Sequence, residues 1–311
     1  MNRTWILAAA VVAIAGCNKN AASGGGTGGG SSSTGSGVCA SGKVDLSKIS
    51  GDWIVKDNIA QPEGSFPGNQ YRIRFVGTPA ADGSIKAMLA WRLDSRSYTG
   101  HYYKNALGGV LDLVEDMTDE TIAQLRKNQD PGVPMRSAVK IEAADEGCVL
   151  SVSDETITYV GDKDIRKTSL GSLKMVPAPA GAKYSFVRCT EQRAVYFDGK
   201  ADEGGAPVKV AAGTKVTAKL TGSKKDLEDC PSYDGDIYVD GELVAEKFAA
   251  TVGTEDVPGP KGKVDHVPAV FWEAPITLKV GPPHGVEIHA YGECAGGRKL
   301  LAAACNLALT K

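Results

Sequence analysis

The chain has 311 residues and a formal net charge of −2 at pH 7, and 42% of its residues are hydrophobic. This balance excludes the strongly basic surface with which proteins bind nucleic acids or other anionic surfaces, so neither is expected as a partner. About 270 residues follow the low-complexity segment near the N-terminus, and domains usually have about 100–200 residues, so two domains are expected.

The first 16 residues have the composition of an export signal. Met1–Arg3 is a short, positively charged start. Trp5–Ala15 is an apolar run that is too short to span a bilayer, because a spanning helix needs about 20 apolar residues. The two small residues before Cys17 make this site resemble the lipobox of bacterial lipoproteins, in which the signal is cut just before the cysteine. The resemblance implies that residues 1–16 are a signal peptide.

The same resemblance implies that Cys17 is the lipidated first residue of the mature protein, with acyl chains such as palmitate that anchor it in the membrane. Asn18 follows, where an aspartate would resemble the retention signal of inner-membrane lipoproteins. We therefore expect an outer-membrane lipoprotein that faces the periplasm or the cell surface. An ordinary cleaved signal that leaves Cys17 as a free thiol is the alternative. No later stretch has the length and apolarity of a membrane span.

Residues 17–37 are expected to be the lipidated cysteine and a flexible tether. Asn18–Gly37 contains eight glycines, five serines and no large apolar residue. Such a composition cannot bury a core. A tether of this length would span about 25 Å on average and about 70 Å when fully stretched. The folded part would therefore lie clear of the lipid headgroups.

Six cysteines remain after Cys17, and an even number in an exported protein indicates three disulfide bonds. They are Cys39, Cys148, Cys189, Cys230, Cys294 and Cys305. The chain has no Cys-x-x-Cys and no tight cluster of histidine and cysteine, so a zinc site is not expected.

The first predicted domain contains two of these cysteines, Cys39 and Cys148, which we expect to pair with each other. Six cysteines allow 15 connectivities, so the sequence alone does not determine the rest. Our first expectation for the second domain joins neighbours in the sequence, Cys189–Cys230 and Cys294–Cys305.

Residues 38–176 are expected to form a small β-barrel. Runs rich in aromatic and β-branched residues alternate with turn signals such as Asp82-Gly83. The predicted strands include Trp53–Val55, Tyr71–Val76, Ile85–Leu93, Ser137–Ala143, Cys148–Val152, Ile157–Val160 and Leu170–Val176. Only Met117–Asn128 has helical character, with acidic residues in its first turn and basic residues at its end. About eight short strands and one short helix are typical of a small barrel.

Residues 177–183 contain two prolines and interrupt the strand pattern, so they are expected to be a semi-rigid linker. Residues 184–311 again predict strands alone. These include Thr214–Leu220, Ile276–Val280, Val286–Ala290, Lys299–Leu309, and a hairpin that joins Ile237–Val239 to Glu242–Val244 through Asp240-Gly241. About seven strands in this region fit an immunoglobulin-like β-sandwich.

The start of the first predicted strand resembles the entrance of a lipocalin barrel. In that family a lead-in turn precedes a Gly-x-Trp motif whose indole closes one end of the barrel, and Gly51-Asp52-Trp53 matches this pattern. The resemblance implies an all-β protein in which a small lipocalin-like barrel precedes the immunoglobulin-like sandwich. It gives Gly51 and Trp53 structural roles. Independently of the family, a tryptophan at the start of a strand is expected to pack in a core.

An eight-stranded barrel either fills its interior with side chains or holds one small ligand, and the sequence leaves both open. Trp91, His101 and Tyr103 belong to an aromatic-rich stretch. Tyrosine and tryptophan combine an apolar body with a polar tip, which suits stacking on a ligand or glycan. These three residues are therefore the ligand-binding candidates, and burial within strands is the alternative.

The predicted strand Val286–Glu293 places Glu287, His289 and Tyr291 on one face. We expect this face to be a solvated outer face; a metal site or a shared proton, which a glutamate and a histidine in this spacing would suit, is the alternative. The acidic residues around Asp240 lack the order of an EF-hand calcium loop. No metal and no cofactor are expected.

The sequence contains no Gly-x-Ser-x-Gly, no His-Glu-x-x-His and no P-loop, so an enzyme is not expected. A hydrolase would need His101 or His289 beside a carboxylate in a cleft. The leading hypothesis is a lipid-anchored cell-envelope binding protein whose barrel holds a small apolar ligand. The alternative is a structural or adhesion lipoprotein with a filled barrel that binds an envelope protein or glycan.

Overall fold

The computed structural model describes residues 37–55, 71–91, 94–105, 108–127, 136–145, 147–160, 163–168, 172–189, 195–197, 208–221, 230–278 and 284–310. All of them belong to one compact unit, Ser32–Lys311. The predicted signal peptide, Cys17 and the tether up to Ser36 lie outside the described residues. Within these ranges the protein is mostly β-strand, as predicted. No helix in the described ranges is long and apolar enough to cross a membrane.

The first β region is a closed antiparallel barrel. Its strands are β1 (Gly51–Val55), β2 (Arg72–Phe75), β3 (Ser84–Trp91), β4 (Asp94–Tyr103), β5 (Val110–Glu115), β6 (Arg136–Ala143), β7 (Leu150–Val160), β8 (Lys163–Thr168) and β9 (Leu173–Pro177). Neighbouring strands follow the order β6-β5-β4-β3-β2-β1-β9-β7, and the pairing of β6 with β7 closes the ring of eight. Strand β8 pairs with the second half of β7 and extends outside the ring.

A short helix covers part of the outer wall of the barrel. Helix α1 (Asp119–Lys127) confirms the predicted helix, and its first turn is capped by the hydroxyl of Thr118, which accepts a hydrogen bond from the Thr121 amide at 3.2 Å. Ile122 packs on an outward-facing cluster with Ile157 and Tyr159. The helix therefore leaves the interior of the barrel to the strands.

The second β region consists of two sheets that share one core. Its strands are β10 (Tyr196–Phe197), β11 (Val208–Lys209), β12 (Lys215–Thr221), β13 (Ser232–Val239), β14 (Glu242–Ala249), β15 (Thr251–Pro258), β16 (Val264–Pro275), β17 (His284–Cys294) and β18 (Gly297–Thr310). One sheet has the order β10-β12-β16-β15 and the other the order β11-β18-β17-β13-β14. Val216 and Trp272 from the first sheet pack against Ile237 and Ile288 from the second.

The hairpin through Asp240-Gly241 is confirmed, because β13 pairs with β14 on either side of this turn. The predicted strand Ile276–Val280 is not supported where it is described. Ile276 and Leu278 contribute their side chains to the core, but their backbone lies outside every strand. The apolar residues of this segment reflect burial alone. The predicted strands do not include β4 and β8, whose sequences are mostly polar, nor β5, β15 and β16, whose sequences are not.

The three disulfide bonds are Cys39–Cys148, Cys189–Cys305 and Cys230–Cys294. The first confirms the expected pairing, whereas the pairing expected for the second domain is wrong. Register explains the difference. In the β17–β18 hairpin Cys305 lies opposite Glu287, seven residues from Cys294, or about 23 Å along the strand. A disulfide tolerates a Cα separation of only about 7 Å.

The chain passes from the barrel to the second region along the outside of the barrel. We call residues 182–189 the junction segment. Its Tyr184 and Phe186 pack on Ala90 of β3 and on Ala178. The amide of Ser185 donates to the carbonyl of Gly241 at 2.8 Å, and the amide of Leu243 donates to the carbonyl of Lys183 at 2.9 Å. The junction segment is therefore bonded to both β regions.

Candidate functional site

The three predicted ligand-binding residues lie on the surface of the barrel. Trp91 is 42% exposed and Tyr103 is 54% exposed, and His101 is also exposed. Trp91 lies opposite Asp94, whereas His101 lies opposite Ser84 at the other end of the β3–β4 hairpin, about 23 Å away along the strand. The structure therefore separates Trp91 from the other two candidates.

His101 and Tyr103 form an aromatic pair on the outer wall. Their ring centroids are 6.2 Å apart with an interplanar angle of 34°. Tyr102, between them on β4, contacts the barrel core, and because side chains alternate along a strand, His101 and Tyr103 face away from it. This pair offers a small aromatic surface to a partner outside the barrel.

The interior of the barrel is filled by its own side chains. All eight strands of the ring contribute to one apolar cluster, whose buried members are at most 8% exposed. A side chain that lines an open cavity keeps surface facing that cavity. The central residues have no exposed surface at all: Ile73, Leu111, Leu113, Val139, Ile141, Leu150, Val152 and Met175. The described part of the barrel therefore has a packed core.

Trp53 is part of this core, as its position at the strand start predicts. The side chain is 1% exposed and lies in the cluster with Leu46 and Ile49 from the lead-in segment. Its indole nitrogen donates to the carbonyl of Ser50 at 3.2 Å. Gly51 precedes it with φ +71°, a conformation that favours glycine. Both residues of the entrance motif have packing roles.

A second candidate site is a polar cluster buried between the barrel and the second region, which we call the junction cluster. It consists of Arg72 from β2, Ser185 from the junction segment, and Glu287 and His289 from β17. Each of these side chains is at most 2% exposed. Buried charges need partners, and this cluster supplies them.

The hydrogen bonds of the junction cluster converge on Glu287. Nη2 of Arg72 donates to Oε1 of Glu287 at 3.0 Å, and Nε of Arg72 donates to the carbonyl of Ser185 at 2.5 Å. The Ser185 hydroxyl donates to Oε2 of Glu287. Nε2 of His289 lies 3.1 Å from the same oxygen and 3.2 Å from the Ser185 hydroxyl. The Tyr238 ring stacks on His289 with centroids 4.4 Å apart.

The electrostatics of the junction cluster favour an ionised Glu287. Burial by itself raises the pKa of this carboxyl, but the hydrogen bond with His289 and the charge of Arg72 outweigh burial, so the pKa of Glu287 lies below its ordinary value. Burial lowers the pKa of Arg72, and the charge of Glu287 opposes that effect. Both partners remain charged near neutral pH.

Serine, histidine and glutamate together suggest a catalytic triad, but their geometry does not provide one. In a triad the two ring nitrogens of histidine contact the serine and the carboxylate separately. Here both contacts fall on Nε2, and Nδ1 of His289 is buried without a hydrogen-bond partner among the described residues. The Ser185 hydroxyl donates to Glu287 rather than to His289, unlike the serine of a triad. The carboxylate predicted for a hydrolase is present, whereas the cleft is not seen in the described structure.

Three further acidic residues of the second region, Asp234, Asp236 and Asp240, have basic partners. Asp234 and Asp236 accept hydrogen bonds from the guanidinium of Arg298, which also stacks on Tyr291 at 3.6 Å. Asp240 contacts His284 at 2.6 Å. No group of three or more metal-ligating side chains occurs within the described ranges. The expected solvated face of β17 is wrong at Glu287 and His289, because the barrel and the junction segment cover both.

Sequence reasoning missed Arg72 and Ser185. Arg72 and Arg74 both lie on the outer face of β2, on either side of the inward-facing Ile73. Their sequence positions are equivalent, yet only Arg72 is buried. Arg74 pairs with Asp52 within the barrel and is 39% exposed. The partner of Arg72 lies 215 residues away, so no local signal distinguishes the two arginines.

Comparisons with known proteins add no relative. No family model, no curated protein and no solved structure matches the chain.

The first prediction concerns the stability that depends on Arg72. Arg72→Leu leaves the buried carboxylate of Glu287 without its countercharge, and breaking a buried pair in this way costs about 3–5 kcal/mol of unfolding free energy. Arg74→Leu is the matched control on the same face of the same strand, and loss of its partly exposed pair costs about 1 kcal/mol or less. Urea unfolding followed by tryptophan fluorescence measures both. Equal losses would contradict a special role for Arg72.

The second prediction concerns Gly241, in the turn that packs on Arg72. A Cβ on Gly241 would lie 2.3 Å from Cζ of Arg72, whereas a Cβ on Gly213 has no atom within 4 Å. Both glycines have φ +81°, so Gly241→Ala and Gly213→Ala share the same backbone strain. We expect Gly241→Ala to lower the unfolding free energy further, by about 1–3 kcal/mol, because overpacking displaces the arginine. Thermal unfolding of the two variants gives the difference; similar midpoints would argue against tight packing here.

The third prediction concerns acid stability. Since the pKa of Glu287 is depressed below 4.5 in the folded protein, its stabilising contribution is complete above about pH 4.5 and is lost as the pH falls further. Glu287→Gln removes this contribution, so the unfolding free energy should depend less steeply on pH between about pH 5 and 3. Glu246→Gln is the control, because Glu246 also has a depressed pKa but is exposed. Equal slopes for wild type and Glu287→Gln would refute the assignment.

Proposed function

We propose that the protein is a lipid-anchored protein of the outer membrane that binds another envelope component, a protein or a glycan, through the outer surface of a solid β body. The lipobox-like site before Cys17 and the glycine-rich tether support the anchor and the location. The observation that carries the choice between carrier and surface binder is the filled interior of the barrel.

The finer fold assignments belong to the same proposal. A closed ring of eight antiparallel strands with Gly51 and Trp53 at its entrance supports a lipocalin-like barrel. Two sheets with a common core support an immunoglobulin-like second domain. Lipocalin-like barrels that carry ligands need an open interior, and here that space contains the side chains of the core.

The carrier hypothesis, in which the barrel holds a small apolar molecule, has less support. A drug-sized ligand needs a cavity of about 300–1,000 Å³. Opening such a space would require displacing fully buried residues such as Leu111 and Ile141. Each large core side chain contributes about 2–5 kcal/mol to stability. Ligand uptake would therefore oppose the packing that holds the barrel together.

The contact surface we favour is the pair His101 and Tyr103. Exposed aromatic rings stack on the apolar faces of sugars and of side chains, and the tyrosine hydroxyl supplies a hydrogen bond at the edge. The pair lies on β4, whose neighbours β3 and β5 hold it in a continuous sheet. A rigid platform of this kind suits an adhesion or structural lipoprotein.

The fourth prediction tests the solid barrel. The mature chain with Cys17→Ser, purified without detergent, should show the mass of the protein alone in native mass spectrometry and should not enhance the fluorescence of an added fatty-acid probe. The physical reason is the absence of exposed surface on the central side chains. Saturable uptake of one probe per chain would overturn the proposal in favour of a carrier.

The anchor is tested with the same variant as its control. In cells, wild-type protein should fractionate with the outer membrane and incorporate a clickable palmitate analogue, and Cys17→Ser should do neither.

The contact surface is tested by co-sedimentation with envelope fragments. The wild-type protein should sediment with the fragments, and replacing His101 and Tyr103 with alanine should weaken that binding. Trp91→Ala, which removes an exposed aromatic side chain from the far end of the same hairpin, should leave it unchanged.

A further inference from the structure

Strand β15 is an edge strand with a regular backbone. It ends the sheet β10-β12-β16-β15, and among the described residues it pairs only with β16. Its register with β16 runs without a shift from Thr251 to Pro258. Most of its side chains are exposed, and Val252 is 64% exposed. An edge of this kind presents unpaired N–H and C=O groups to a further strand.

Two prolines show which backbone groups of β15 face outward. In an antiparallel pair, residues opposite each other alternately exchange two hydrogen bonds or none. Proline has no N–H and so occupies a position of the second kind. The pairs Thr254–Pro268 and Pro258–Val264 are four residues apart on β15, so both are bonded or both are not. Since each contains a proline, both are pairs without hydrogen bonds between β15 and β16.

The same alternation extends to the neighbours of Thr254. Val252 and Asp256 are each two residues from it, so the N–H and C=O groups of all three residues point away from β16. Pro258 ends this row because it has no N–H to offer. Within the described part of the chain, the outer edge of β15 therefore offers the backbone groups of three residues for pairing.

The other edges of the described sheets are protected. Strand β14 has register shifts in its pairing with β13 and a positive φ at Lys247, and its first residue is bridged by Tyr184 of the junction segment. Strand β8 has the sequence KDIRKT, and charged residues discourage pairing at an edge. Strands β10 and β11 have two residues each. Residues 251–254 of β15 are uncharged and mostly β-branched, which favours pairing.

We propose that β15 pairs antiparallel with β15 of a second copy of this chain, with Thr254 opposite Thr254 on the two-fold axis. In this register Val252 lies opposite Asp256 of the other copy, and both positions carry outward N–H and C=O groups. Three bonded pairs form, with six hydrogen bonds. The four-stranded sheets of the two copies, each with the order β10-β12-β16-β15, then form one continuous eight-stranded sheet.

The charges of β15 are compatible with a second copy in this register. With the axis on Thr254, Glu255 lies opposite Gly253 and Asp256 lies opposite Val252, so no like charges face each other. With the axis on Asp256, two aspartates would be opposite and Pro258 would replace a donor. A second copy therefore pairs with this edge without opposing like charges when the axis lies on Thr254, and the self-association goes beyond the envelope binding proposed above and does not depend on it.

The affinity of this contact is low in solution. Pairing of one short strand buries less than the about 1,200 Å² typical of stable complexes. A lipid anchor confines the chains to one surface and raises their effective concentration, which strengthens a weak contact without new interactions. The site is thus suited to association on the membrane.

The test uses the full mature chain with Cys17→Ser in sedimentation velocity, from micromolar to millimolar concentration. Without a further substitution, this protein should form dimers at the upper end of the concentration range. Val252→Glu places a carboxylate opposite Asp256 twice per dimer and should weaken dimerisation at least about tenfold, which corresponds to 1.4 kcal/mol. Val252→Lys places an opposite charge there and should keep or strengthen it. Val264→Glu is the control, because Val264 is 56% exposed on β16, and it should behave as wild type.

Hydrogen exchange identifies the contact directly. The amides of Val252, Thr254 and Asp256 should exchange more slowly as the protein concentration rises, while amides of β15 bonded to β16 stay unchanged. A monomer throughout the concentration range, or equal effects of Val252→Glu and Val252→Lys, would overturn the proposal. Retained dimerisation with failed envelope binding would leave it intact, so the two proposals fail separately.

Discussion

The buried ion pair between Arg72 and Glu287 is the interaction on which the placement of the two β regions depends. Taking both charges out of water costs several kcal/mol per ion, so burial requires close geometry and partners for the remaining hydrogen-bonding groups. The cluster meets both needs, with a separation of 3.0 Å and further bonds to Ser185 and His289. These four residues come from the barrel, the junction segment and the five-stranded sheet, so all three must be in place together.

The surroundings of Arg72 are shaped to admit it. Gly241 provides the space for the guanidinium, since a Cβ there would overlap it. Phe186 lies beside both arginines of β2. The centroid of its ring is 4.3 Å from Cζ of Arg74 and 5.8 Å from Cζ of Arg72. The disulfide between Cys189 and Cys305 then fixes the end of the junction segment to the same sheet that carries Glu287. The passage between the two regions is thus held by packing, hydrogen bonds and a covalent bond.

Much of the fold follows from local sequence patterns. Ile73 alternates with Arg72 and Arg74 along a strand whose inner face is buried, and the turn at Asp240-Gly241 has the composition that its positive φ angles require. Strand β8 escaped prediction because all its side chains are exposed and its sequence is charged. The disulfides of the second region depend on strand order, which periodicity along one strand does not encode.

The candidate sites are harder to derive from sequence, and for a physical reason. Whether an eight-stranded barrel is filled depends on the combined volume of side chains from strands distributed over about 125 residues. Whether Leu111 fills the interior or lines a cavity is therefore decided by residues on other strands, such as Ile141 and Val152. The sequence places Glu287 and His289 on one face of a strand, but their burial depends on residues distant in sequence, Arg72 of the barrel and Ser185 of the junction segment. Solvent exposure is a property of the assembled structure, and the polar character of these residues gave the opposite indication.

The junction cluster also explains why a polar contact occurs where an apolar one would serve. Replacing a buried ion pair by well-packed apolar residues often leaves stability unchanged or raises it, so net stability does not account for Arg72 and Glu287. Two apolar surfaces can shift against each other with little loss of packing energy. The carboxylate of Glu287, in contrast, forms its hydrogen bonds with Arg72, Ser185 and His289 in only one relative placement of the regions. The cluster therefore restricts the relative placement of the two regions. Such a restriction keeps the two proposed contact surfaces, the His101–Tyr103 pair and the edge of β15, in a constant relation.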